Sequence, residues 1–458
     1  MASDWKFCKI GDVAKIQGGY AFKSKDFSDT GTPVIKIKNV RKRDIDLTDV
    51  ARVSQEVAEQ ASSFLVKSWD VLISMTGSGP NAPASIVGRV ARHSGEDDVF
   101  LINQRVGRFL IKEKEQLDQR FLYYLFSEDK TQLELLSIAT GSANQVNISG
   151  KQIESIEVNL PPLSEQKAIA HVLGSLDDKI ELNRQMNETL EAMAQALFKS
   201  WFVDFDPVID NALAASNAIP DELLDRAEQR KEIEKKDNSD IQSLFPAEFE
   251  FTKEMGWIPK GWGVKSLDEV ADYLNGLALQ KYRPEDIDDN YLPIVKIAQL
   301  REGLPNHDEK ASINIKPEYI IDNGDVIFSW SGSLLVDVWC GGKAALNQHL
   351  FKVTSDKYPK WFYLNYTKHH LVEFQRIATD KAVTMGHIKR GHLKEALCVI
   401  PGNGVDDNIF AVFEGILNKQ IRLRIESQTL AKLRDTLLPK LMSGELRIPD
   451  ATALVENV

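Results

Sequence analysis

The stretch Asp70-Val71-Leu72-Ile73-Ser74 returns later in the chain as Asp325-Val326-Ile327-Phe328-Ser329. A short apolar run that is rich in β-branched residues is typical of a buried strand. The first run is followed by Gly77-Ser78 and the second by Gly332-Ser333, so both strands are predicted to enter a turn. A strand and its turn that occur twice indicate that the fold is duplicated.

Further matches occur in the same order along both halves, and their offset falls from about 260 to about 240 residues. The matched pairs are Gly11–Ala14 with Asp268–Ala271, Gly19–Ala21 with Gly276–Ala278, Pro33–Ile37 with Pro293–Ile297, Asn103-Gln104 with Asn347-Gln348, and Ile138–Thr140 with Ile377–Thr379. Loops of unequal length explain the drift, whereas chance matches would not stay collinear. The chain is therefore predicted to hold two copies of one domain.

Each copy is predicted to be a mixed α and β domain, of the α+β class. Short β-branched runs between Gly, Ser and Asn turns predict strands in the first copy, and longer periodic segments predict one helix in each copy. The predicted strands are Pro33–Ile37, Val71–Ser74, Ile86–Val90 and Phe109–Ile111. The predicted helices are Arg120–Ser137 and Trp361–Arg376.

Each domain is followed by a proline stop, at Pro161-Pro162 and at Pro401, and then by a long helical pattern. Apolar residues recur at spacings of three and four, which predicts a coiled-coil seam in each helix. The first seam is Leu173, Leu176, Ile180, Asn183, Asn187, Leu190, Ala194, Leu197 and Trp201. The second seam is Phe413, Ile416, Gln420, Leu423, Ser427, Leu430, Arg434, Leu437 and Leu441.

These two helices are predicted to pair antiparallel, because that arrangement relates two equivalent halves by a pseudo-two-fold axis. A helix of about 37 residues would be about 55 Å long and would fix a distance. Polar residues in the middle of the seams, such as Asn183 and Gln420, favour a coiled coil because they set register. The alternative is two amphipathic helices that each lie on their own domain.

The patterns divide the chain into a first domain at residues 1–160, a central spacer helix at 161–205, a linker at 206–256, a second domain at 257–400, a distal spacer helix at 401–445 and a tail at 446–458. The linker is predicted to carry at most one surface helix. Its charged run, Arg230–Asp237, is interpreted as a solvated face, with partner docking as the alternative.

Composition and charge limit the possible functions. The 458 residues are 43% hydrophobic and 27% charged, as in folded proteins, and no apolar stretch or leader predicts a membrane span or secretion, so we expect a cytoplasmic protein. Three distant cysteines predict neither disulfides nor zinc. The net charge of -11 counts against binding nucleic acid, but residues 1–160 carry 21 basic and 21 acidic residues and leave room for a basic face.

The chain resembles the specificity subunits of type I restriction-modification systems over nearly its full length. The stretches that carry the resemblance are Leu160–Ala170 (LPPLSEQKAIA), Leu176–Ile180 (LDDKI), Leu197–Val208 (LFKSWFVDFDPV), Gly256–Trp262 (GWIPKGW) and Thr140–Gln145 before Ile148. The second half departs from the pattern, because Pro401-Gly402-Asn403-Gly404 stands where the family has Pro-Pro-Leu-Ser-Glu-Gln. The attachment of the second helix to its partner is therefore less well defined.

The resemblance implies that residues 1–160 and 257–400 are target-recognition domains that read the two halves of an asymmetric site in double-stranded DNA. It implies that the helices set the unread spacer and dock two adenine methyltransferase subunits, which restriction and translocase subunits then join. S-adenosylmethionine, ATP and Mg²⁺ would be bound by those partners and not by this chain. No membrane partner is implied.

The sequence lacks the common catalytic motifs, which favours a non-catalytic chain. There is no Walker A sequence, and Asn159-Leu160-Pro161-Pro162 lacks the spacing and aromatic residue of an adenine methyltransferase motif. The histidine pair His369-His370 has no companion at metal-ligand spacing. Catalytic residues and metal ligands are therefore predicted to be absent.

Polar loops supply the candidates for contact with DNA, since Lys and Arg bind phosphates while Arg, Asn and Gln bond base edges. The densest basic cluster lies at residues 36–43, and its alternative is a solvated turn. The repeated Asn-Gln pair has a structural turn as its alternative. The candidates are Gly19, Tyr20, Lys36, Lys38, Asn39, Arg41, Lys42, Arg43, Asn103, Gln104, Arg105, Lys281, Arg283, Asn347, Gln348, His349, His387, Lys389 and Arg390.

Two other classes of function compete with DNA recognition. A coiled-coil scaffold with duplicated protein-binding domains would explain the acidic net charge. A self-sufficient enzyme would require catalytic motifs that the sequence does not show.

Overall fold

The computed structural model describes residues 5–77, 87–142, 145–233, 239–286, 290–380, 386–402, 407–446 and 448. The chain forms two units, of which unit 1 comprises Met1–Ile180 with Thr429–Val458 and unit 2 comprises Glu181–Gln428. Each unit combines several small sheets with helices. Among the helices of the described residues, none is long and apolar enough to cross a membrane.

In the first 205 residues the helices are α1 (Ile10–Val13), α2 (Gln55–Gln60), α3 (Gln119–Ser127), α4 (Asp129–Ile138), α5 (Gly150–Glu154) and α6 (Leu163–Phe198), which continues as a π-helical turn over Lys199–Val203. The strands are β1 (Lys6–Lys9), β2 (Ala14–Gly18), β3 (Phe27–Ser28), β4 (Thr32–Ile35), β5 (Ala51–Val53), β6 (Val71–Ser74), β7 (Thr76–Gly77), β8 (Val90–Arg92), β9 (Leu101–Ile102), β10 (Val106–Ile111), β11 (Thr140–Ser142), β12 (Gln145–Asn147) and β13 (Glu157–Leu160).

In the remaining residues the helices are α7 (Asp206–Ala215), α8 (Leu224–Glu232), α9 (Ser239–Gln242), α10 (Leu267–Val270), α11 (Ile297–Glu302), α12 (Lys360–Asp380), α13 (Arg390–Glu395) and α14 (Asp407–Met442). The strands are β14 (Phe249–Thr252), β15 (Gly256–Pro259), β16 (Gly263–Ser266), β17 (Asp272–Asn275), β18 (Tyr291–Val295), β19 (Asn306–Ser312), β20 (Ile320–Ile321), β21 (Val326–Ser329), β22 (Leu335–Val338), β23 (Ala344–Leu346), β24 (Leu350–Thr354) and β25 (Leu397–Ile400).

The sheets confirm the duplication. The central antiparallel sheet has the order β2-β10-β6-β8 in unit 1 and β17-β24-β21-β22 in unit 2. A second sheet in each unit contains one parallel pair, β4 with β9 and β18 with β23. The first and last strands of each domain also pair, as β1 with β13 and β16 with β25. The repeated β-branched stretches form β6 and β21, and both strands are buried along their whole length.

Some predicted boundaries shift. The predicted helix Arg120–Ser137 is two helices, because the backbone of Glu128 is extended, with φ -72° and ψ 134°. In the second domain the corresponding segment is one continuous helix, α12. The strand expected at Ile86–Val90 begins only at Val90, as β8, because residues 87–89 form a turn and its exit, and Ile86 lies outside the described residues.

The two long helices are each 36 residues long, so each spans about 54 Å at ~1.5 Å per residue. In unit 1, Leu173 and Leu176 of α6 join one core with Leu437 and Leu441 of α14. Beside them the Asp177 carboxylate accepts a hydrogen bond from Arg434 Nη1 at 2.6 Å. The predicted seam residues are buried or half-buried on both helices.

In unit 2 the contacts between α6 and α14 establish the antiparallel direction. Asn183 donates to Glu426 at 3.0 Å, and Gln420 donates to Glu191 at 3.0 Å. Further along, the Trp201 ring packs 5.4 Å from the Phe413 ring. Residue numbers rise on one helix as they fall on the other, so the antiparallel coiled coil is confirmed.

Two polar seam residues destabilise the contact between the long helices. Asn183 and Asn187 each bury an Oδ1 atom that, within the part of the chain that the structure describes, has no hydrogen-bond partner. An unsatisfied buried acceptor destabilises the fold. Such a cost is characteristic of seam residues that fix register.

The segment predicted to be a linker is more ordered than expected. Val208, Ile209 and Ala212 of α7 are fully buried, and Arg226 of α8 binds the buried Asp206 at 2.8 Å. Arg230, expected on a solvated face, binds Asp210 at 2.5 Å. The segment is part of unit 2. The charged run in the sequence gave no sign of these buried acidic partners.

The predicted proline stop is confirmed, since β13 ends at Leu160 and α6 begins at Leu163. The fully buried Gln166 explains part of the family-like stretch. Its Nε2 donates to the carbonyls of Pro161 and Gln116, both at 2.8 Å, and its Oε1 accepts from the Asp118 amide at 2.9 Å. Gln166 therefore joins the start of α6 to the start of α3. Most of the predicted tail, residues 446–458, and part of the second helix entrance lie outside the described residues.

Candidate nucleic-acid interface

The basic cluster at residues 36–43 begins with a tight turn that is closed by Asn39. The Asn39 side chain is only 2% exposed. Its Nδ2 donates to the carbonyls of Asp46 and Asp49, at 2.8 and 3.1 Å, and its Oδ1 accepts from the Lys36 amide at 3.0 Å. The structure therefore corrects the prediction for Asn39, because a buried amide that is bonded at both ends cannot reach a base edge.

Lys38 and Arg41 keep the exposure that contact with a phosphate requires. Lys38 forms an ion pair with Asp49, and Arg41 Nη2 lies 3.0 Å from Asp46. Hydrogen bonds from Thr48, followed by that from Arg41, lower the pKa of Asp46 to about 2. Exposed ion pairs contribute little, ~0–1 kcal/mol, so a phosphate can replace the carboxylate partner.

Lys42 and Arg43 are held by acidic residues of unit 1. Lys42 Nζ lies 2.6 Å from Asp129 of α4. The Arg43 side chain is only 12% exposed and pairs with Asp435 of α14. Arg43 also has a positive φ of 70°, a conformation that a non-glycine residue rarely adopts. Arg43 therefore fastens the turn to the helix, which makes it a poor candidate for DNA contact.

Lys36 and Tyr20 also pack within unit 1. Lys36 Nζ lies 3.9 Å from the centre of the Phe27 ring. Burial, followed by the nearby charge of Lys38, lowers the pKa of Lys36. The Tyr20 ring packs against Phe22 with 4.8 Å between ring centres. Both side chains are half-buried and contribute to the framework of the loops.

The repeated Gly and Asn-Gln motifs form a backbone crossing that recurs in both domains. A Cβ atom on Gly19 would lie 2.3 Å from the Ile102 carbonyl oxygen, and one on Gly276 would lie 2.3 Å from the Asn347 carbonyl oxygen. The residue after each glycine donates its amide to the equivalent carbonyl, as Tyr20 does to Ile102 at 2.9 Å. Only glycine fits such an approach. The structural alternative therefore accounts for the repeated Gly, whereas contact of the repeated Asn-Gln pair with DNA stays a prediction.

The residues after the repeated Asn stand on a second repeated framework. In unit 1, the Met75 amide donates to the Arg105 carbonyl at 2.9 Å, and the Met75 carbonyl accepts from the Ile148 amide at 2.9 Å. In unit 2, Trp330 takes the place of Met75. Its amide donates to the His349 carbonyl at 3.4 Å, and its carbonyl accepts from the Ile388 amide at 3.0 Å.

Three residues come together at each copy of this framework, and we name the two sets the junctions. The first junction is Thr76, Arg105 and Asn147. The second junction is Ser331, His349 and His387. Strand pairing places Thr76 opposite Asn147, and the corresponding bridge places Ser331 opposite His387. The two junctions occupy equivalent places and carry different side chains.

In the first junction, Asn147 is the common acceptor. Its Oδ1 receives hydrogen bonds from Thr76 Oγ1 at 2.7 Å and from Arg105 Nη1 at 3.3 Å. Thr76 is buried and Arg105 is exposed. A buried anchor therefore orients an exposed guanidinium.

In the second junction, His349 is the central group. Its Nδ1 lies 3.0 Å from Ser331 Oγ, and its Nε2 lies 3.4 Å from Gln348 Nε2. The Trp330 ring lies 6.0 Å from the His349 ring and 6.4 Å from the His387 ring, centre to centre. Polar and aromatic groups thus share one partly exposed surface.

The remaining candidates are exposed but are not part of the junctions. Lys281 and Arg283 lie around a short helical turn, and Lys389 and Arg390 lie at the start of α13. Arg390 Nη2 donates to the Tyr273 carbonyl at 3.2 Å. These residues stay predictions for phosphate contact.

The sequence did not identify Thr76, Asn147 and Ser331 as site residues. Part of their signal was present in the repeat, because Thr76 and Ser331 lie directly before the matched glycines Gly77 and Gly332. A position that is equivalent in the two domains but carries a different residue in each could have been chosen as a candidate site residue for that reason.

Over residues 2–192 and 259–431 the chain matches the family described as type I restriction modification DNA specificity domain. The two matched segments span most of the chain and include both copies of the repeat. The chain belongs to this family, and the resemblance inferred from its sequence is confirmed.

Relatives of similar length support this assignment. The type I restriction enzyme MjaIX specificity subunit of Methanocaldococcus jannaschii is 26% identical over 458 residues, which cover 98% of this chain and 94% of the relative. The HindI specificity subunit of Haemophilus influenzae is 24% identical over 483 residues, which cover 97% and 100%. A crystal structure of the type I S subunit from M. genitalium matches 96% of both chains with a TM-score of 0.50 and 14% identity, which supports the fold alone.

Proposed function

We propose that the two domains read the two unlike halves of a bipartite site in double-stranded DNA and that the paired helices set the spacer between these halves. The repeated framework supports this proposal, because equivalent backbone bonds hold Arg105 in one domain and His349 in the other. Equivalent backbone frameworks place their side chains at equivalent positions in the two domains. Because these side chains differ in type, they select different bases. The site should therefore be asymmetric.

The chain would act as a non-catalytic subunit in the cytoplasm. The helices would dock two adenine methyltransferase subunits, and restriction and translocase subunits would join that core. S-adenosylmethionine, ATP and Mg²⁺ would then be bound by the partners. The exposed Lys38 and Arg41 would contribute contacts to phosphates, which carry affinity and not sequence information.

Adenine methylation mapped across host DNA, with and without this gene, tests the proposal. We expect methylated adenines in two half-sites of different sequence, separated by a spacer of constant length. A footprint of the chain in complex with its methyltransferase subunits should cover both half-sites. A single uninterrupted footprint, or a palindromic site, would contradict two unlike readers.

The protein-binding scaffold makes the opposite prediction. Affinity that comes from phosphate contacts falls steeply with salt. If the assembled complex shows no salt-dependent binding to DNA, the scaffold is the better account.

A further inference from the structure

The two junctions differ in which side chain is bonded within the protein and which one is exposed to a ligand. In the first domain the residue that follows Gln104 is an exposed arginine, and in the second domain the residue that follows Gln348 is a half-buried histidine. Because the backbone bonds are equivalent, the difference lies in the side chains that the two frameworks carry.

The first junction presents a guanidinium that one hydrogen bond within the domain orients. The bond from Arg105 Nη1 to Asn147 Oδ1 uses one of the five N–H donors of a guanidinium. Thr76 Oγ1 bonds the same oxygen at 2.7 Å and holds the amide of Asn147 in place. An arginine whose rotamers are already restricted loses less entropy on binding. Guanine offers O6 and N7, the pair of acceptors that arginine bonds bidentately.

The second junction uses its histidine as a support. An amide nitrogen can only donate, so in the 3.4 Å contact Gln348 Nε2 is the donor and His349 Nε2 the acceptor, while His349 Nδ1 lies 3.0 Å from Ser331 Oγ. Both ring nitrogens are then engaged within the protein. Within the part of the chain that the structure describes, Gln348 retains its amide oxygen and a second N–H for another partner. That pair is complementary to N6 and N7 of adenine.

We propose that Arg105 bonds a guanine in one half-site and that Gln348 bonds an adenine in the other, with Thr76, Asn147, Ser331 and His349 as positioning residues. This proposal rests on the proposed function and adds the chemical class of the base that each domain reads.

The test is methylation by the full chain produced together with its own methyltransferase subunits, using Arg105→Ala and Gln348→Ala variants. The readout is the methylation rate on duplexes in which each base pair of the site is replaced in turn. A bidentate contact gives about 5- to 150-fold discrimination. We expect Arg105→Ala to reduce this ratio toward 1 at one G·C pair of one half-site. We expect Gln348→Ala to do so at one A·T pair of the other half-site.

The positioning residues are tested with a conservative pair of variants. Thr76→Val removes the hydroxyl while keeping the shape, and we expect partial loss of discrimination at the same G·C pair. Thr76→Ser keeps the hydroxyl and should restore the discrimination. Because Thr76 is buried, thermal unfolding of each variant shows whether the fold is intact.

Arg41→Ala is the matched control, since Arg41 is also an exposed arginine of the first domain. We expect it to weaken binding equally for all duplexes and to reduce the dependence on salt. The inference is overturned if wild type modifies a bipartite site and Arg105→Ala either preserves every base preference or loses rate equally on all duplexes. If wild type modifies no bipartite site, the proposed function itself fails.

Discussion

The interfaces between the two long helices bury different polar groups in the two units. In unit 1 the buried Asp177 accepts hydrogen bonds from Arg434 at 2.6 Å and from Tyr124 Oη at 2.7 Å. The positions 240 residues away, Leu417, Ala194 and Leu364, are all apolar and buried in unit 2. A charged network in one unit is thus an apolar contact in the other.

Unit 2 has its own polar set at other positions. Glu191 bonds Lys368 at 2.6 Å and Gln420 at 3.0 Å. The corresponding residues of unit 1 are Ala431, Glu128 and Ile180, which cannot form this set. Glu128 is also the residue at which the backbone leaves the helix, whereas Lys368 stays helical.

This difference indicates that the duplicated fold does not depend on either network. Removing two charges from water costs about as much as their attraction returns, so a buried ion pair adds little net stability. A helix that paired in the wrong register would leave one of these charges buried and unpaired. We infer that the unlike polar sets define which segments of α6 and α14 pair.

The largest effect is expected from breaking the unit 1 network with Asp177→Ala. This change leaves the buried Tyr124 hydroxyl without its acceptor and leaves Arg434 with only Asp435 as a carboxylate partner, at 2.9 Å. We expect the free energy of unfolding to fall by about 3 kcal/mol, at the lower end of the range for a broken buried pair. Chemical denaturation of the purified chain measures the loss. Hydrogen exchange should locate the loss in peptides of unit 1.

The control for Asp177→Ala transplants the apolar set of unit 2. The triple variant Tyr124→Leu, Asp177→Leu and Arg434→Ala places no unpaired charge in the interface. We expect its unfolding free energy to lie within about 2 kcal/mol of wild type, since apolar replacement of a buried pair is often neutral. A triple variant as unstable as Asp177→Ala would show that the network itself stabilises unit 1.

The sequence predicted the parts of the fold that depend on local periodicity. The strand Val71–Ser74 was predicted with its observed bounds, and the long helices have nearly the predicted length. Such patterns are local, because a buried strand or seam imposes its own spacing on neighbouring residues. The repeat then extended each observation to a second place in the chain.

The sequence could not predict partners that are distant along the chain. Arg43 belonged to the densest basic cluster, yet its acidic partner Asp435 is 392 residues away. Asn39 has a side-chain amide that could bond a base, but this amide closes a turn instead. Side-chain type indicates what a residue can bond, whereas tertiary contacts decide which bond it makes.

A second difference between the units concerns their stability at low pH. His370 of unit 2 is largely buried and bonds the Leu397 carbonyl at 3.0 Å, whereas the corresponding residue of unit 1 is the exposed Lys130. Burial, followed by the charge of His369, lowers the pKa of His370 from 6.5 to about 4. A pKa that is lower in the folded state than in the unfolded chain stabilises the fold at pH values above the unfolded pKa. This stabilisation is lost as the pH falls from about 6.5 through 4.

We therefore expect unit 2 to lose about 2–3 kcal/mol of stability over this pH range. Tryptophan fluorescence during denaturation measures it, because six of the eight tryptophans lie in unit 2. His370→Gln can still donate to the Leu397 carbonyl but does not titrate, so its stability should change less over this range. An equal loss in wild type and His370→Gln would assign the acid sensitivity to other groups.

The smallest effect is expected from Glu191→Ala, which breaks the polar set of unit 2. Burial alone would raise the pKa of Glu191, but Lys368 and its hydrogen bonds outweigh this effect and hold the pKa below its usual value. The contribution of Glu191 is therefore lost only as pH falls below about 4.5, a range distinct from that of His370. Lys368 keeps a flexible stem that can carry its charge to water, so we expect a loss of only about 1–2 kcal/mol.

Glu188→Ala is the matched control for Glu191→Ala, because Glu188 pairs with Arg184 on the exposed face of the same helix, at 2.5 Å. An exposed pair of this spacing contributes no more than ~0.5 kcal/mol. If Glu191→Ala costs no more than Glu188→Ala, the polar set of unit 2 does not constrain the pairing of the helices. The register would then be defined in unit 1 alone, by Asp177 and Arg434.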